Sequence, residues 1–186
     1  MDARIAKDVS TIGRISAVPS ILEIVTEVTG LRFAAVARVT ADTWTACAVL
    51  DKIDFGLSVG GDLDVSTTLC REIRLSEQPI IIEHASQDES FCRHPTPRMY
   101  GFESYIAVPI IRRNGEVFGT ICALDPRPAS LRDPKILRMV TLYAELIAAQ
   151  LEIEDQLEAN EAALALATEA GALREQSGAA SGAAIF

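Results

Sequence analysis

The sequence predicts an α+β fold in which helices cover both faces of an antiparallel β-sheet. The clearest observation is a pair of apolar β-type runs, Ser104–Ile111 and Glu116–Leu124, on either side of Asn114-Gly115. Asn-Gly between such runs is the strongest short-range signal of a β-hairpin, because both residues accept the positive φ of a type I′ turn. The second observation is the order of the predicted elements, which runs helix, two strands, helix, strand, long connection, hairpin and helix. This order is typical of the α+β class.

The N-terminal segment predicts two helices. The first is expected over residues 1–17, where apolar residues recur at helical spacing. The second begins at Val18, and Pro19 suits its first turn because proline has no amide that the first turn would need. We predict that the main domain spans residues 18–132.

Two β-type runs follow the second helix, Phe33–Thr40 and Thr43–Leu50. Side chains alternate between the two faces of a strand. The second run therefore predicts that Trp44, Ala46 and Ala48 share one face of the sheet.

The middle of the chain is predicted to be a loop, a short helix, a short strand and an irregular connection. Ser66 or Thr67 has the side chain to cap the helix, because a hydroxyl oxygen accepts a hydrogen bond from a free amide of the first turn. The segments are Asp51–Val65 for the loop, a helix that ends at Leu75, the strand Pro79–Ile82 and the connection Glu83–Met99.

Two residues of the hairpin strands have positional meaning. Pro109 lacks a backbone donor, so we expect it at an edge or bulge position. Gly119 leaves space beside its backbone, which predicts a bulge or the close approach of another chain segment.

The C-terminal segment predicts a long helix over residues 133–170, with two apolar rows. The first row is expected to pack on the domain and consists of Leu137, Val140, Ala144, Ile147 and Leu151. The second row, here called the dimer row, consists of Leu146, Gln150, Ile153, Leu157, Asn160 and Leu164. Its spacing of four and three predicts a parallel homodimer through the terminal helices, in which Asn160 sets the register. The alternative is a solvated helix without a partner. Residues 171–186 are Ala/Gly/Ser-rich, and we expect them to be disordered.

Composition excludes several functions. The 186 residues carry a formal net charge of -9, and the longest basic run is Arg112-Arg113, so neither nucleic acid nor an anionic membrane is an expected partner. The N-terminus lacks the apolar core of a signal peptide, and no apolar run reaches the roughly 20 residues of a membrane span. The cysteines Cys47, Cys70, Cys92 and Cys122 have no metal-type spacing, so we predict reduced thiols, no metal site and a cytoplasmic location.

Three motifs resemble the sensory GAF domains of bacterial signalling proteins. They are TTxCxEIR at Thr67–Arg74, HPTPxxYGFxSYxxVPI at His94–Ile110, and the turn Asp125-Pro126-Arg127-Pro128. The resemblance implies a non-enzymatic sensor attached to a histidine kinase or a similar output, with a small-molecule pocket between the sheet and its covering segments. The candidate pocket residues are Phe55, Cys70, Phe91, Cys92, His94, Tyr100, Phe102 and Tyr105. The alternative is that these side chains only fill the space beneath the connection.

Other functions remain open on the same residues. Cys92 and the Val108-Pro109-Ile110 strand resemble the bilin-binding GAF domains of cyanobacteriochromes, which implies a covalent bilin on Cys92. A second hypothesis is a thiol-redox sensor in which Cys70 pairs with Cys92. A third is an enzyme similar to the free methionine sulfoxide reductases, although the cysteine spacing of those enzymes is not present. For Cys47 and Cys122 we predict a role as small core residues.

Overall fold

The computed structural model describes residues 2–182 of the chain, and the side chains of residues 2–170. Within these residues the chain forms a six-stranded antiparallel sheet with helices on both faces, so the predicted fold class is confirmed. The strands lie in the order β3-β2-β1-β6-β5-β4. Their bounds are β1 Phe33–Val39, β2 Thr43–Asp51, β3 Asp62–Asp64, β4 Ile80–Ile82, β5 Ser104–Ile111 and β6 Val117–Asp125. The helices are α1 Ala3–Arg14, α2 Val18–Thr29, α3 Cys70–Ser76, α4 Pro95–Tyr100 and α5 Pro134–Gly182.

One face of the sheet packs against α1, α2 and the first half of α5. The α5 residues that point to this core follow the row predicted from helical spacing, since Val140, Ala144, Ile147 and Leu151 are all buried. The opposite face is covered by α3, α4 and the loop between β2 and β3. The chain divides into two compact units after Leu151. The sheet and both of its covering layers belong to the first unit.

The hairpin has the predicted strands but a different turn. Of the two turn residues, Gly115 has a positive φ, at 83°, and Asn114 does not, so the type I′ turn that we predicted is wrong. The amide of Gly115 instead donates to the Arg112 carbonyl, and the Asn114 side chain accepts from the amide of Glu116. Phe118 is the extra residue in the ladder, because Ile110 pairs with Gly119 and Ile111 pairs with Val117. Asparagine thus acts here through its side chain.

Pro109 lies beyond the end of the β4 ladder, because β4 reaches only as far as Ala107 of β5. The edge position that we predicted for Pro109 is confirmed. By contrast, the predicted shared face of β2 is wrong. A bulge at Cys47 separates the pairs Val36–Ala48 and Ala37–Ala46, so Ala48 packs in the core on the helix α1 side. One inserted residue exchanges the faces of everything beyond it.

Helix boundaries differ from the predictions at three places. The Asp64 side chain, rather than Ser66 or Thr67, accepts the capping hydrogen bond, and it caps a 3₁₀ turn that precedes α3. The connection predicted as irregular contains α4, which His94 caps and Gly101 ends. Helix α5 continues to Gly182, whereas the sequence predicted an end at Ala170 and disorder from residue 171; residues 183–186 lie outside the described residues.

Among residues 2–182, no single helix has the length and the apolar character that a membrane span requires. The bent pair α1 and α2, with 77° between its axes, meets both criteria only when the two helices are taken together.

Candidate functional site

The face of the sheet beneath α3 and α4 carries a small apolar cavity, which we call the sheet cavity. Its floor is formed by β1, β2, β5 and β6, and its lid by α3, α4 and the loop that follows β2. The lining residues are Phe33, Trp44, Phe55, Leu57, Leu63, Thr68, Leu69, Cys70, Thr96, Tyr100, Phe102, Tyr105, Cys122 and Leu124. Mainly apolar side chains with a few hydroxyl and thiol groups are the normal lining of a small-molecule site.

The sheet cavity is nearly filled by its own side chains. Its volume is about 40 Å³. One water molecule needs roughly 10–15 Å³ of such space, and sites for drug-sized ligands reach about 300–1,000 Å³. In this conformation the cavity therefore accepts only a very small molecule, and a larger ligand requires the lid to move.

The lid loop is held by a carboxylate at its base. Asp51 accepts hydrogen bonds from the amides of Ile53 at 3.0 Å and Gly56 at 3.2 Å. This turn places the Phe55 ring 4.7 Å from the ring of Phe33 on the floor. Phe55 thus closes the cavity from the loop side, and the positive φ of Gly56 supports the turn.

Helix α4 is joined by polar contacts to α3 and to the 3₁₀ turn that precedes α3. The Tyr100 hydroxyl lies 2.5 Å from the Thr67 hydroxyl, and Thr96 donates to the Thr67 carbonyl at 2.8 Å. His94 contacts both helices, since its Nδ1 accepts the Thr96 amide at 3.3 Å and its Nε2 lies 3.2 Å from a Glu72 oxygen. The arrangement of His94 is that of a residue that holds the two lid helices together.

A cluster of thiols and hydroxyls lies at the floor of the cavity. The Cys70 sulfur is 3.3 Å from the Tyr105 hydroxyl and 3.3 Å from the Thr120 hydroxyl. Cys122 lines the same cavity, and its side chain lowers the pKa of Cys70. These thiols and hydroxyls are polar groups at the floor of an otherwise mainly apolar cavity.

The predicted pocket residues divide into two groups. Phe55, Cys70, Tyr100, Phe102 and Tyr105 all line the sheet cavity. The remaining residues, Phe91, Cys92 and His94, line a separate surface hollow of about 250 Å³, whose wall Phe102 shares. The ligand-binding role of either group stays a prediction.

Several lining residues were absent from the predicted set, and the strands supply most of them. Trp44, Cys122 and Leu124 point into the cavity from β2 and β6. Alternation within β6 places Cys122 and Leu124 on one face, and alternation is the signal that could have identified them. Cys122 is buried as predicted, but it lies in the cavity wall rather than in the core beneath α1, α2 and α5.

The strand beneath the cavity leads directly to α5 through a buried carboxylate. Asp125, at the end of β6, accepts from Arg32 Nε at 2.7 Å, Arg32 Nη2 at 2.8 Å and the Arg127 amide at 2.9 Å. Glu83, after β4, accepts from the amides of Leu131 at 2.7 Å and Arg132 at 2.9 Å just before the helix. These two carboxylates fix the connection that starts α5.

Asp125 is expected to make stability fall in acid. Burial raises the pKa of Asp125, but the hydrogen bonds from Arg32 and Arg127 outweigh it and lower that pKa from 3.8 to about 2. The carboxylate therefore stabilises the fold above pH 4, and this contribution of about 2 kcal/mol is lost as the pH falls from 4 towards 2. Urea unfolding should show Asp125→Asn less stable than the wild type at pH 7, with a gap that narrows below pH 4. Asp42→Asn, at an exposed carboxylate, is the control. If the stability difference between Asp125→Asn and the wild type does not change with pH, the lowered pKa does not belong to Asp125.

Helix α5 leaves the dimer row uncovered. The exposed fractions are 48% for Leu146, 49% for Ile153, 50% for Leu157 and 70% for Leu164. Asn160 lies in the same row and accepts a hydrogen bond from Gln156 at 2.9 Å. The use of this row as a dimer interface is a proposal.

Solved structures share this fold at low sequence identity. A domain of a putative two-component sensor histidine kinase from Sinorhizobium meliloti matches with a TM-score of 0.58 and 18% identity, covering 80% of this chain and 98% of that one. The GAF domain of an Acinetobacter phosphoenolpyruvate-protein phosphotransferase matches with a TM-score of 0.59 and 15% identity, covering 85% and 99%. A free methionine-R-sulfoxide reductase from Thermoplasma acidophilum matches with a TM-score of 0.55 and 15% identity, covering 73% and 90%. No curated protein matches the sequence.

The family itself is identified by the sequence. The GAF domain family model matches residues 14–151, which contain the whole sheet, the helices α2, α3 and α4, and the first turns of α5. The chain belongs to the GAF domain family.

Proposed function

We propose that this GAF domain is a non-enzymatic sensor module of a signal-transduction protein, of the histidine kinase type, in the cytoplasm. A small molecule binds in the sheet cavity, and its binding is passed to an output domain through α5. The observation that carries the proposal is that β6 forms part of the cavity floor at Cys122 and Leu124 and then leads, through Asp125, into the connection to α5.

Ligand entry requires the lid loop to move. The loop presses Phe55 onto Phe33, and its residues Gly56 and Val59 are exposed. Gly60 remains tied to β2, because its amide donates to the Ala46 carbonyl at 2.8 Å. Segments with few buried apolar contacts open at low cost in free energy. A ligand that displaces Phe55 then contacts Leu124 directly, one residue before the Asp125 carboxylate.

The lining favours non-covalent binding over a covalent bilin on Cys92. Cys92 faces the surface hollow, where its sulfur lies 3.9 Å from the Glu89 carbonyl, and it does not reach the sheet cavity. The likeness to the sulfoxide reductase structure concerns the fold alone at 15% identity. Binding without catalysis therefore remains our proposal.

The experiment is native mass spectrometry of the purified protein, combined with fluorescence of Trp44. Trp44 is the single tryptophan of the chain and lines the cavity, so it reports occupancy. We expect a co-purified small molecule whose removal shifts the emission of Trp44. Leu124→Phe fills the cavity and should abolish retention of the molecule, whereas Ile111→Phe, at an exposed position of β5, should keep it. Retention of the same molecule by Leu124→Phe would contradict the proposed site.

The output is proposed to pass through a parallel homodimer of α5 helices. A long helix with exposed leucines at heptad spacing is stabilised when a second helix covers them. We expect the replacement of both Leu157 and Leu164 by Glu to halve the mass measured by light scattering. Leu166→Glu is the matched control, because Leu166 is 67% exposed and lies off the dimer row. An unchanged mass in the double variant would refute dimerisation through this row.

A further inference from the structure

Two of the four cysteines meet inside the sheet cavity. Cys70 is the first residue of α3, and Cys122 lies in the middle of β6. Cys70 is 2% exposed and Cys122 is 4% exposed, and both residues line the cavity. Both side chains are close to the Thr120 hydroxyl, which lies 3.3 Å from the Cys70 sulfur and lowers the pKa of Cys122. The pair therefore joins a lid helix to the floor strand that leads to α5.

The surroundings of the two sulfurs differ, so the two thiols have different roles. The neighbouring Cys122 side chain lowers the pKa of Cys70 against the effect of burial, and the hydroxyls of Thr120 and Tyr105 lower it further. The neighbouring Cys70 side chain and burial raise the pKa of Cys122. Cys70 is therefore the thiol of the pair that ionises more readily. A thiolate is the reactive form of cysteine towards oxidants.

The cavity gives a small oxidant a place beside the thiolate. Its volume of about 40 Å³ exceeds the roughly 10–15 Å³ that one water molecule needs, and both sulfurs are in its wall. One molecule of hydrogen peroxide fits into a cavity of about 40 Å³. The hydroxyls of Tyr105 and Thr120, each 3.3 Å from the Cys70 sulfur, supply donors to an oxygen that binds there.

We propose that Cys70 and Cys122 form a peroxide-reactive dithiol that closes to an intramolecular disulfide. The Cys70 thiolate attacks one oxygen of hydrogen peroxide; the O–O bond breaks, water leaves after taking up a proton, and Cys70 becomes a sulfenic acid. The Cys122 sulfur then attacks the Cys70 sulfur, the S–O bond breaks, and a second water leaves with the proton of Cys122. Two thiols are oxidised, and one peroxide is reduced to two waters.

The other two cysteines do not take part. Cys47 lies in the core on the opposite face of the sheet, and burial raises its pKa to about 12. Cys92, which the sequence suggested as the partner of Cys70, lines the separate surface hollow. The structure thus assigns Cys122, rather than Cys92, as the redox partner of Cys70. This chemistry requires no ligand other than peroxide, so it stands independently of the proposed ligand sensing.

The test is peptide mapping of the full chain after treatment with hydrogen peroxide, without reduction and with free thiols blocked. We expect a Cys70–Cys122 linked peptide in the wild type and its complete loss in Cys70→Ser and in Cys122→Ser. Cys122→Ser should instead accumulate a Cys70 sulfenic acid that dimedone traps. Cys92→Ser and Cys47→Ser, the matched controls, should keep the link.

The wild-type map decides the question even where a serine variant fails to fold. A link between Cys70 and Cys92, oxidation of Cys70 to a sulfinic acid beside a free Cys122, or four unmodified thiols would each overturn the proposal. Native mass spectrometry of the oxidised and the reduced protein separates failure of this proposal from failure of the proposed sensing function. Protein that retains a co-purified ligand but forms no Cys70–Cys122 link contradicts the dithiol proposal alone. Protein that forms the link but retains no ligand contradicts the sensing function alone.

Discussion

A single methyl group at Gly119 is expected to destabilise the protein by about 3 kcal/mol or more, at the upper end of the cost of overpacking. Gly119 lies in β6, between Arg38 of β1 and Ile110 of β5. A Cβ atom built there would stand 1.8 Å from the carbonyl oxygen of Ala37 and 3.1 Å from the Cα of Arg38. Both neighbours are backbone atoms of a central strand, so no side-chain rotation relieves the contact. The two strands must separate, and β6 is the strand that joins the cavity to α5.

Chemical unfolding of Gly119→Ala against the wild type measures this cost. The matched control is the same substitution at Gly13, in helix α1, where an added Cβ would meet nothing within 4 Å. Alanine is favoured over glycine in a helix by roughly 0.5–1 kcal/mol, so Gly13→Ala should be neutral or slightly stabilising. Equal stability of the two variants would show that the close approach at Gly119 is not a structural requirement.

The fold was largely predictable because its strongest signals are local. The strands of the hairpin follow from apolar runs and a turn, and the packed row of α5 follows from helical spacing that ends in the buried Leu151. Gly119 also belongs here, since a glycine inside a strand pattern predicts close approach. Each of these signals lies within one element of the sequence.

The site was less predictable because it depends on contacts between distant elements. The bulge at Cys47 has no marker in the sequence, yet it moves Ala48 to the other face. Helix α4 was not predicted, because Pro95 and Pro97 are typical of a loop. Proline is nevertheless tolerated in the first turn of a helix. Spacing placed Cys92 beside the other candidate pocket residues, but only the folded sheet brings Cys122 to Cys70.

The replacement of Arg38 by methionine is expected to cost about 3 kcal/mol, at the lower end of the cost of breaking a buried ion pair, because it leaves the partly buried Asp8 carboxylate without its partner. The Arg38 guanidinium lies over the Phe118 ring at 5.0 Å and contacts Asp8 of α1 at 2.9 Å. It also donates to the carbonyls of Val117, at 3.3 Å, and Phe118. Arg38 thus joins α1 to the bulged end of β6. Arg113→Met, at an exposed position of the hairpin turn, should remain within about 0.5 kcal/mol of the wild type.

A double variant distinguishes a favourable ion pair from one that only satisfies buried charge. Burial raises the pKa of Asp8 in spite of the opposing effect of the Arg38 guanidinium, so the desolvation of this carboxylate outweighs its attraction to the arginine. Replacing both partners by apolar residues then removes the cost as well as the contact. We expect Asp8→Leu combined with Arg38→Met to be at least about 1.5 kcal/mol more stable than Arg38→Met alone, as measured by urea unfolding at pH 7. If the double variant were as unstable as Arg38→Met, the carbonyls of Val117 and Phe118 rather than Asp8 would be the groups that need the guanidinium, because they lose their donor in both variants.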